Sequence, residues 1–147
     1  MMNRLSSVAA DLAEQMNNRS ASQLRKVAST AALLAVDRTN LVDPRLEGAL
    51  AAIRDSAPGN RNECSNALRV AEELDERAWD IREKVDEGTL PKRSYLEAFR
   101  KARAAAAVGF ALELNPLQAA LEAVYEARAA VADLEAVRAA INSVLMD

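Results

Sequence analysis

The amino-acid sequence predicts a single all-α domain spanning residues 1–147, built as a bundle of six or seven helices with short capped connections. Alanine is the most abundant residue and aromatic residues make up only 3% of the chain, a composition that favours helix over strand. Apolar residues recur at helical spacing, and no stretch of strand length alternates with period two. Each proline stands where a helix start or a turn is expected.

Three helices are expected in the first part of the chain. The first spans about residues 3–16, and the second begins at residues 20–23, which have the S-x-x-Q form of a capping box. The third follows the N-cap Asp43 and spans about residues 44–56, and Pro58-Gly59 predicts a turn after it. The side chains expected to face the core from these helices are Leu5, Val8, Ala9, Leu12, Met16, Leu24, Val27, Ala31, Leu34, Leu46, Leu50 and Ile53.

The two longest helices are expected next. The fourth spans about residues 62–87 and ends at Gly88, which has the position of a C′ glycine. The fifth spans about residues 92–114, and its segment 104–112 is apolar on all sides, which predicts a helix packed on several sides at the centre of the domain. The apolar positions of these two helices are Ala67, Ala71, Leu74, Ala78, Ile81, Val85, Tyr95, Leu96, Phe99, Ala102, Ala106 and Phe110.

Asn115 and Pro116 predict the start of the sixth helix, as an N-cap and a first helical residue. Apolar residues at helical spacing continue from Leu117 to Leu145. The sequence leaves open whether this stretch is one helix or breaks near Ala132-Asp133 to give a seventh.

The residue types that many enzymes need are missing. The sequence has no histidine, which removes the commonest general base and the imidazole ligands of most zinc and di-iron sites. A lone Cys64 cannot form a redox pair or a four-cysteine zinc site, and the glycines are isolated, so no phosphate-binding loop is present. We therefore expect a non-enzymatic protein with no metal and no cofactor, in which Cys64 is a small buried residue.

Net charge and hydropathy limit the expected partners and location. The formal charge is −3, so no general attraction to nucleic acid or to an anionic membrane is expected. The longest uncharged stretches, 27–36 and 104–112, are too short to cross a bilayer, which needs about 20 residues. Asp11 and Glu14 interrupt the segment in which a signal peptide would have its apolar region. A single cysteine suits a reducing compartment and the alanine-rich composition suits high-GC bacteria, so we expect a bacterial cytoplasmic protein.

Carboxylates cluster on the fourth helix, but their spacing indicates a solvated face rather than a metal or catalytic site. Glu73 and Arg77 are expected to form an i,i+4 ion pair, and so are Asp80 and Lys84.

The fifth helix carries Arg103 and Glu113 on the flanks of its apolar face, where an ionisable group must pair, reach solvent or serve a ligand. We expect them to be a buried polar pair, with a ligand site as the alternative. The cations of this helix do not share one face, so contact with nucleic acid is not expected. These cations are Lys92, Arg93, Arg100, Lys101 and Arg103.

Trp79 is the only tryptophan and lies away from the centre of the apolar stripe of the fourth helix. It either covers the edge of the core or anchors a protein partner, because tryptophan and arginine are enriched in binding hot spots. Trp79, Arg82 and Asp75 are therefore the candidate partner-binding residues.

Three short segments resemble small helical bacterial proteins of toxin-immunity loci: residues 95–99 (Tyr-Leu-x-Ala-Phe), 125–127 (Tyr-Glu-Ala) and 133–137 (Asp-Leu-Glu-Ala-Val). The resemblance implies a cytoplasmic inhibitor that occludes a toxin domain, and it carries over no catalytic residue and no inhibitory motif. We therefore expect a protein that acts by binding a protein partner.

Two other functions stay open. A small-molecule-binding bundle or a cryptic enzyme would use Arg103, Glu113 and a tyrosine around a central cavity. A structural or regulatory homo-oligomer would pack the apolar fifth helix across a two-fold axis. A cavity lined by those polar groups would favour the first, and a flat apolar patch around Trp79 would favour partner binding.

Overall fold

The computed structural model describes residues 3–55 and 59–146 and shows an all-α bundle, which confirms the predicted fold class. Within these residues there are seven α-helices, two short 3-10 turns and no strand. None of the described helices combines the length and the apolar composition that a membrane crossing requires. The helices are α1 (Ala10–Met16), α2 (Ala21–Thr39), α3 (Glu47–Arg54), α4 (Arg61–Asp86), α5 (Lys92–Ala111), α6 (Pro116–Val131) and α7 (Leu134–Leu145).

Capping residues define several helix ends as the sequence predicts. Ser20 and Gln23 form the expected capping box at the start of α2. The Asn115 side chain caps α6 by accepting a hydrogen bond from the backbone N–H of Gln118. Gly88 follows α4 with a φ of 81°, the left-handed conformation that a C′ glycine adopts without steric cost.

The connection between α6 and α7 answers the question that the sequence leaves open. Ala132 adopts a left-handed conformation, with φ 57° and ψ 31°, and ends α6. The Asp133 side chain then accepts a hydrogen bond from the backbone N–H of Ala136 and caps α7. The stretch is therefore two helices.

The first expected helix is not continuous. It consists of a 3-10 turn over Leu5–Ser7 and the separate α1, and Ala9 between them has an extended φ of −153°. The Asn3 side chain accepts a hydrogen bond from the backbone N–H of Ser6 at the start of the 3-10 turn. Val8 lies at this break and is exposed, although the apolar period predicted it in the core.

The third expected helix begins as a 3-10 turn over Pro44–Leu46, where Asp43 accepts the capping hydrogen bond from the backbone N–H of Arg45, and continues as α3. Its expected last residue, Ser56, and Pro58 of the expected turn lie outside the described residues.

One hydrophobic core, built mainly from alanine, runs through the bundle. α5 lies at its centre and packs against α2, α4 and α6. Every residue of the segment 104–112 except Phe110 is buried, as its all-round apolar pattern predicts. Because helices of the same chain cover this segment, it cannot supply the two-fold interface considered for a homo-oligomer. None of the buried core residues is aromatic.

The outer parts of α4 and α5 form a helical hairpin, which we call the arm (residues 79–101). No residue of the arm is buried. Ile81, Val85, Tyr95 and Phe99, which the apolar period predicted in the core, are only half-buried here. Leu96, predicted on the same face, is exposed. In the arm α4 and α5 mainly cover each other, which explains the incomplete burial.

Surface ion pairs differ from those that helical spacing predicts. Glu73 pairs with Arg45 from the 3-10 turn before α3, rather than with Arg77. Asp80 and Lys84 are not among the ion pairs of the described residues. Exposed i,i+4 pairs contribute only about 0.2–0.5 kcal/mol, so a competing partner readily replaces them.

Candidate functional site

A cleft opens at the base of the arm, between the arm and α6. α4, α5 and α6 form its walls, and Arg4, which precedes the first 3-10 turn, contributes a side chain from the N-terminal segment. Its volume is about 440 Å³, and it is open to solvent on one side. Ligand pockets typically measure about 300–1,000 Å³, so the cleft is large enough to receive a group from a binding partner.

The aromatic residues of the chain are concentrated at this cleft. Four of them line it, namely Trp79, Tyr95, Phe99 and Tyr125. The fifth, Phe110, lies beside it, with its ring centroid 5.6 Å from Cζ of Arg4. The rings of Tyr95 and Phe99 stack with their centroids 6.0 Å apart. Since aromatic side chains normally supply large parts of a core, their placement here marks the cleft as unusual.

Glu126 of α6 is the centre of an ion-pair network in the cleft and is only 1% exposed. Its Oε2 accepts a hydrogen bond from Nη1 of Arg103 at 2.8 Å, and its Oε1 accepts one from Nη2 of Arg4 at 3.2 Å. Arg103 also pairs with Asp75 of α4, and Arg4 also pairs with Glu122 of α6. The network therefore connects α4, α5, α6 and the N-terminal segment.

Arg4 is held firmly in its charged form. Burial alone would lower its pKa, but the hydrogen bond to Glu122 and the charges of Glu122 and Glu126 outweigh burial, so the pKa of Arg4 is raised. The ionic contacts therefore hold the N-terminal segment against α6 and help to shape the cleft.

Arginine side chains lie over the aromatic rings. The Tyr125 centroid is 4.3 Å from Cζ of Arg4 and 4.8 Å from Cζ of Arg128. The Phe99 centroid is 5.7 Å from Cζ of Arg103. Significant cation–π contacts occur about once per 70–80 residues, so their concentration at one place sets the cleft apart from the rest of the described surface.

The three candidate partner-binding residues lie together on one side of α4. Asp75 and Trp79 line the cleft, and Cζ of Arg82 lies 5.4 Å from the ring centroids of both Trp79 and Tyr95. Trp79 is 62% exposed and outside the core, so it does not cover the core edge. Asp75 is paired with Arg103, which leaves Trp79 and Arg82 as the members of the set that make no ion pair within the described residues.

The predicted polar pair of Arg103 and Glu113 is not formed. The two positions are about 15 Å apart along a helix at 1.5 Å per residue, too far for direct contact, and α5 ends before Glu113. Arg103 pairs with Asp75 and Glu126 instead. Glu113 lies near Cys64, which is buried as expected; burial, and secondarily the charge of Glu113, raises the pKa of the Cys64 thiol.

Sequence reasoning missed several cleft residues, namely Arg4, Tyr125, Glu126 and Arg128. Glu126 could have been identified from the helical period of α6, because it lies on the same face as the buried Ala123 and Ala130. An acid on such a face implies cationic partners. Nothing local indicates Arg4, because its partner Glu122 lies 118 residues away in the sequence.

The cleft offers aromatic faces and guanidinium N–H donors to a ligand. Its carboxylates are engaged by arginines, as described above. Within the described residues, no three cysteine, aspartate or glutamate side chains converge as metal ligands.

No family model matches the chain, and no curated protein or solved structure matches it. The chemistry of the cleft is therefore the basis for the function proposed below.

Proposed function

We propose that this chain acts by binding a protein partner, that it catalyses no reaction, and that the cleft and the adjoining side of the arm form its contact surface. One observation carries the proposal: four of the five aromatic residues line a single solvent-accessible cleft, where arginines contact their rings, and none of the five is fully buried. Tryptophan, tyrosine and arginine are the residue types most enriched among binding hot spots.

The surface also suits an inhibitor. The resemblance to toxin-immunity proteins supports a role in the bacterial cytoplasm, where the chain would occlude a toxin domain. Such a role needs a contact surface that is already ordered before binding, because rigid surfaces lose less entropy on association. The ion pairs that Glu126 makes with Arg4 and Arg103 hold the walls of the cleft in that way.

A small-molecule site is the second candidate, because the cleft is concave rather than flat and its volume of about 440 Å³ is that of a ligand pocket. The exposed Trp79 weighs against it. Ligand pockets usually cover most of the ligand surface, whereas this indole stands largely in solvent at the rim.

Photo-crosslinking in the native host tests the proposal. Leu96 is 36% exposed beside the cleft residue Tyr95, and Val42 is 89% exposed in the loop after α2, outside the cleft. A benzophenone amino acid at position 96 should give a discrete protein adduct that is lost in a Trp79→Ala chain. The same group at position 42 should not give that adduct. An adduct that persists without Trp79, or none at position 96, contradicts the proposal, and a mass increase too small for a protein favours the second candidate.

A further inference from the structure

The arginines of the cleft form two pairs with different surroundings. Arg4 and Arg103 each bind two carboxylates. Arg82 and Arg128 make neither an ion pair nor a side-chain hydrogen bond within the described residues, and they contact aromatic rings instead. The first pair therefore builds the cleft, whereas the second pair borders it without an anionic partner.

Arg128 is the more constrained of the second pair. Its Nε is buried and has no acceptor among the described residues. Its guanidinium is fixed 4.8 Å from the centroid of Tyr125 and lines the cleft. The terminal Nη groups of Arg128 also make no side-chain hydrogen bond within the described residues and are not buried as Nε is, so they are the donors that an acceptor entering the cleft can reach.

The carboxylates of the cleft do not serve as an acceptor for Arg128: Glu126 pairs with Arg4 and Arg103, and Asp75 pairs with Arg103, whereas neither acid pairs with Arg128. These carboxylates also limit the charge of an incoming group. The four arginines at the cleft face three carboxylates, Asp75, Glu122 and Glu126, which leaves one positive charge in excess (four minus three). One carboxylate balances that excess, whereas a phosphate dianion or a nucleic-acid backbone would bring more negative charge close to the existing acids. The charge pattern therefore favours a singly charged carboxylate.

Apolar surface lies directly beside the two uncompensated arginines. Trp79 lies under Arg82 and is largely exposed, and the stacked rings of Tyr95 and Phe99 line the same cleft. An occupant that uses the whole cleft therefore has an apolar or aromatic side chain next to its carboxylate.

We propose that the cleft receives an acidic segment of the protein partner, in which a glutamate or aspartate carboxylate binds Arg128 and a neighbouring apolar side chain packs against Trp79. The proposal rests on the function proposed above and specifies the chemistry of the partner. Arginine recognises carboxylates through two parallel hydrogen bonds, which gives this contact direction as well as charge complementarity.

Two peptides test the proposal on the full chain: acetyl-AEFAA-amide and its isosteric counterpart acetyl-AQFAA-amide. Trp79 is the only tryptophan, so its fluorescence emission reports events at the cleft. We expect the glutamate peptide to change that emission saturably in the millimolar range and the glutamine peptide to bind at least about tenfold more weakly.

Single arginine substitutions test which residue causes the preference for the glutamate peptide. Arg128→Gln should abolish the preference for the glutamate peptide. Arg82→Gln, at the exposed rim, should reduce it without disturbing a buried group, and Arg69→Gln, on the exposed face of α4 outside the cleft, should leave it unchanged. Equal binding of the two peptides, no saturable binding of the glutamate peptide, or an undiminished preference in the Arg128→Gln chain would overturn the proposal. Tighter binding of 3-phenylpropionate than of the glutamate peptide would also overturn it, in favour of a small acid.

The crosslinking experiment separates this inference from the proposed function. If the adduct at position 96 forms and persists in the Arg128→Gln and Arg82→Gln chains, the partner binds without carboxylate recognition, and only the inference fails. If no adduct forms, the proposed function itself fails.

Discussion

Glu126 lies on the face of α6 that packs against the core, together with the buried residues Ala123 and Ala130. A carboxylate tolerates such a position only with cationic partners, because desolvating an unpaired charge costs far more than desolvating a paired one. The inward position of Glu126 can be read from the helical period of α6. Its partners Arg4 and Arg103 cannot, since they lie on other parts of the chain that only the tertiary fold brings close.

Replacing Glu126 tests the contribution of the network. Glu126→Gln should lower the free energy of unfolding by about 1–3 kcal/mol, because two guanidinium groups lose their shared anionic acceptor. Urea titration measures the change. Glu135→Gln is the matched control, since that exposed acid pairs with Arg138 on the surface and should contribute about 0–1 kcal/mol. Equal losses in the two variants would show that the network adds no stability beyond an ordinary surface pair.

Trp79 is the residue whose loss should separate binding from folding. Trp79→Ala should weaken affinity for the crosslinked partner by about 2 kcal/mol or more, which is about 30-fold. The loss of stability should be clearly smaller than the roughly 3 kcal/mol of a core aromatic truncation, because the indole is largely exposed. Leu114→Ala, an exposed apolar residue outside the cleft, is the control for binding. A strongly lowered urea midpoint with unchanged binding would rule out the interface assignment.

At the scale of the helices, end signals explain which boundaries could be predicted. Serine and asparagine are preferred at the N-cap of a helix, and glycine is preferred just after its C-cap. α2 and α6 begin directly after Ser20 and Asn115, and Gly88 follows the C-cap of α4. The end of α6 was ambiguous because Ala132, a good helix former, takes the left-handed position that glycine usually occupies.

Ala132 is therefore a position where glycine should improve stability. Ala132→Gly should raise the free energy of unfolding by up to about 1 kcal/mol, because glycine adopts a positive φ without the steric cost that a Cβ brings. Thermal denaturation is the measurement. Ala139→Gly, an exposed position inside α7, should instead lower stability by about 1 kcal/mol. Destabilisation by both changes would contradict a left-handed stop at position 132.

The close approach of α4 and α5 depends on Gly109. A Cβ added there would lie 2.7 Å from Cδ2 of Leu68 and 3.2 Å from its backbone nitrogen. Gly109→Ala should therefore destabilise the chain, since overpacking costs about 1–3 kcal/mol and the helix propensity of alanine returns about 1 kcal/mol at most. In a double-mutant cycle, Gly109→Ala should destabilise a Leu68→Ala chain less than it destabilises the original chain, because the side chain that the new Cβ would contact has been shortened. A more stable Gly109→Ala chain would show that the two helices separate without cost.

At the scale of the whole molecule, stability should be unevenly distributed. The arm has no buried residue, whereas residues 102–111 of α5 are buried with the exceptions of Arg103 and Phe110. Amides of the arm should therefore exchange with solvent deuterium through local opening, markedly faster than those of residues 102–111. Hydrogen-exchange mass spectrometry resolves the two regions, and uniform protection along α5 would contradict this division.

The fold class and the candidate cleft differ in how far the sequence could predict them. Helical periodicity is a local property, so the all-α bundle and the central position of the segment 104–112 follow from it. The cleft combines the N-terminal segment with parts of α4, α5 and α6 that no sequence pattern connects. Trp79 and Arg82 could be identified by residue type, whereas Arg128 could be identified only once the helices were placed.

The contact between Arg4 and Glu122 spans 118 residues of sequence, and it has a consequence for how the protein matures on the ribosome. Arg4 leaves the ribosome well before α6, but it cannot take its final place until Glu122 of α6 has also emerged. Contacts of such long sequence separation form late, because the loop that joins them must first close. A nascent chain would therefore lack a finished cleft until α6 has emerged, and would become competent to bind its partner only after that point.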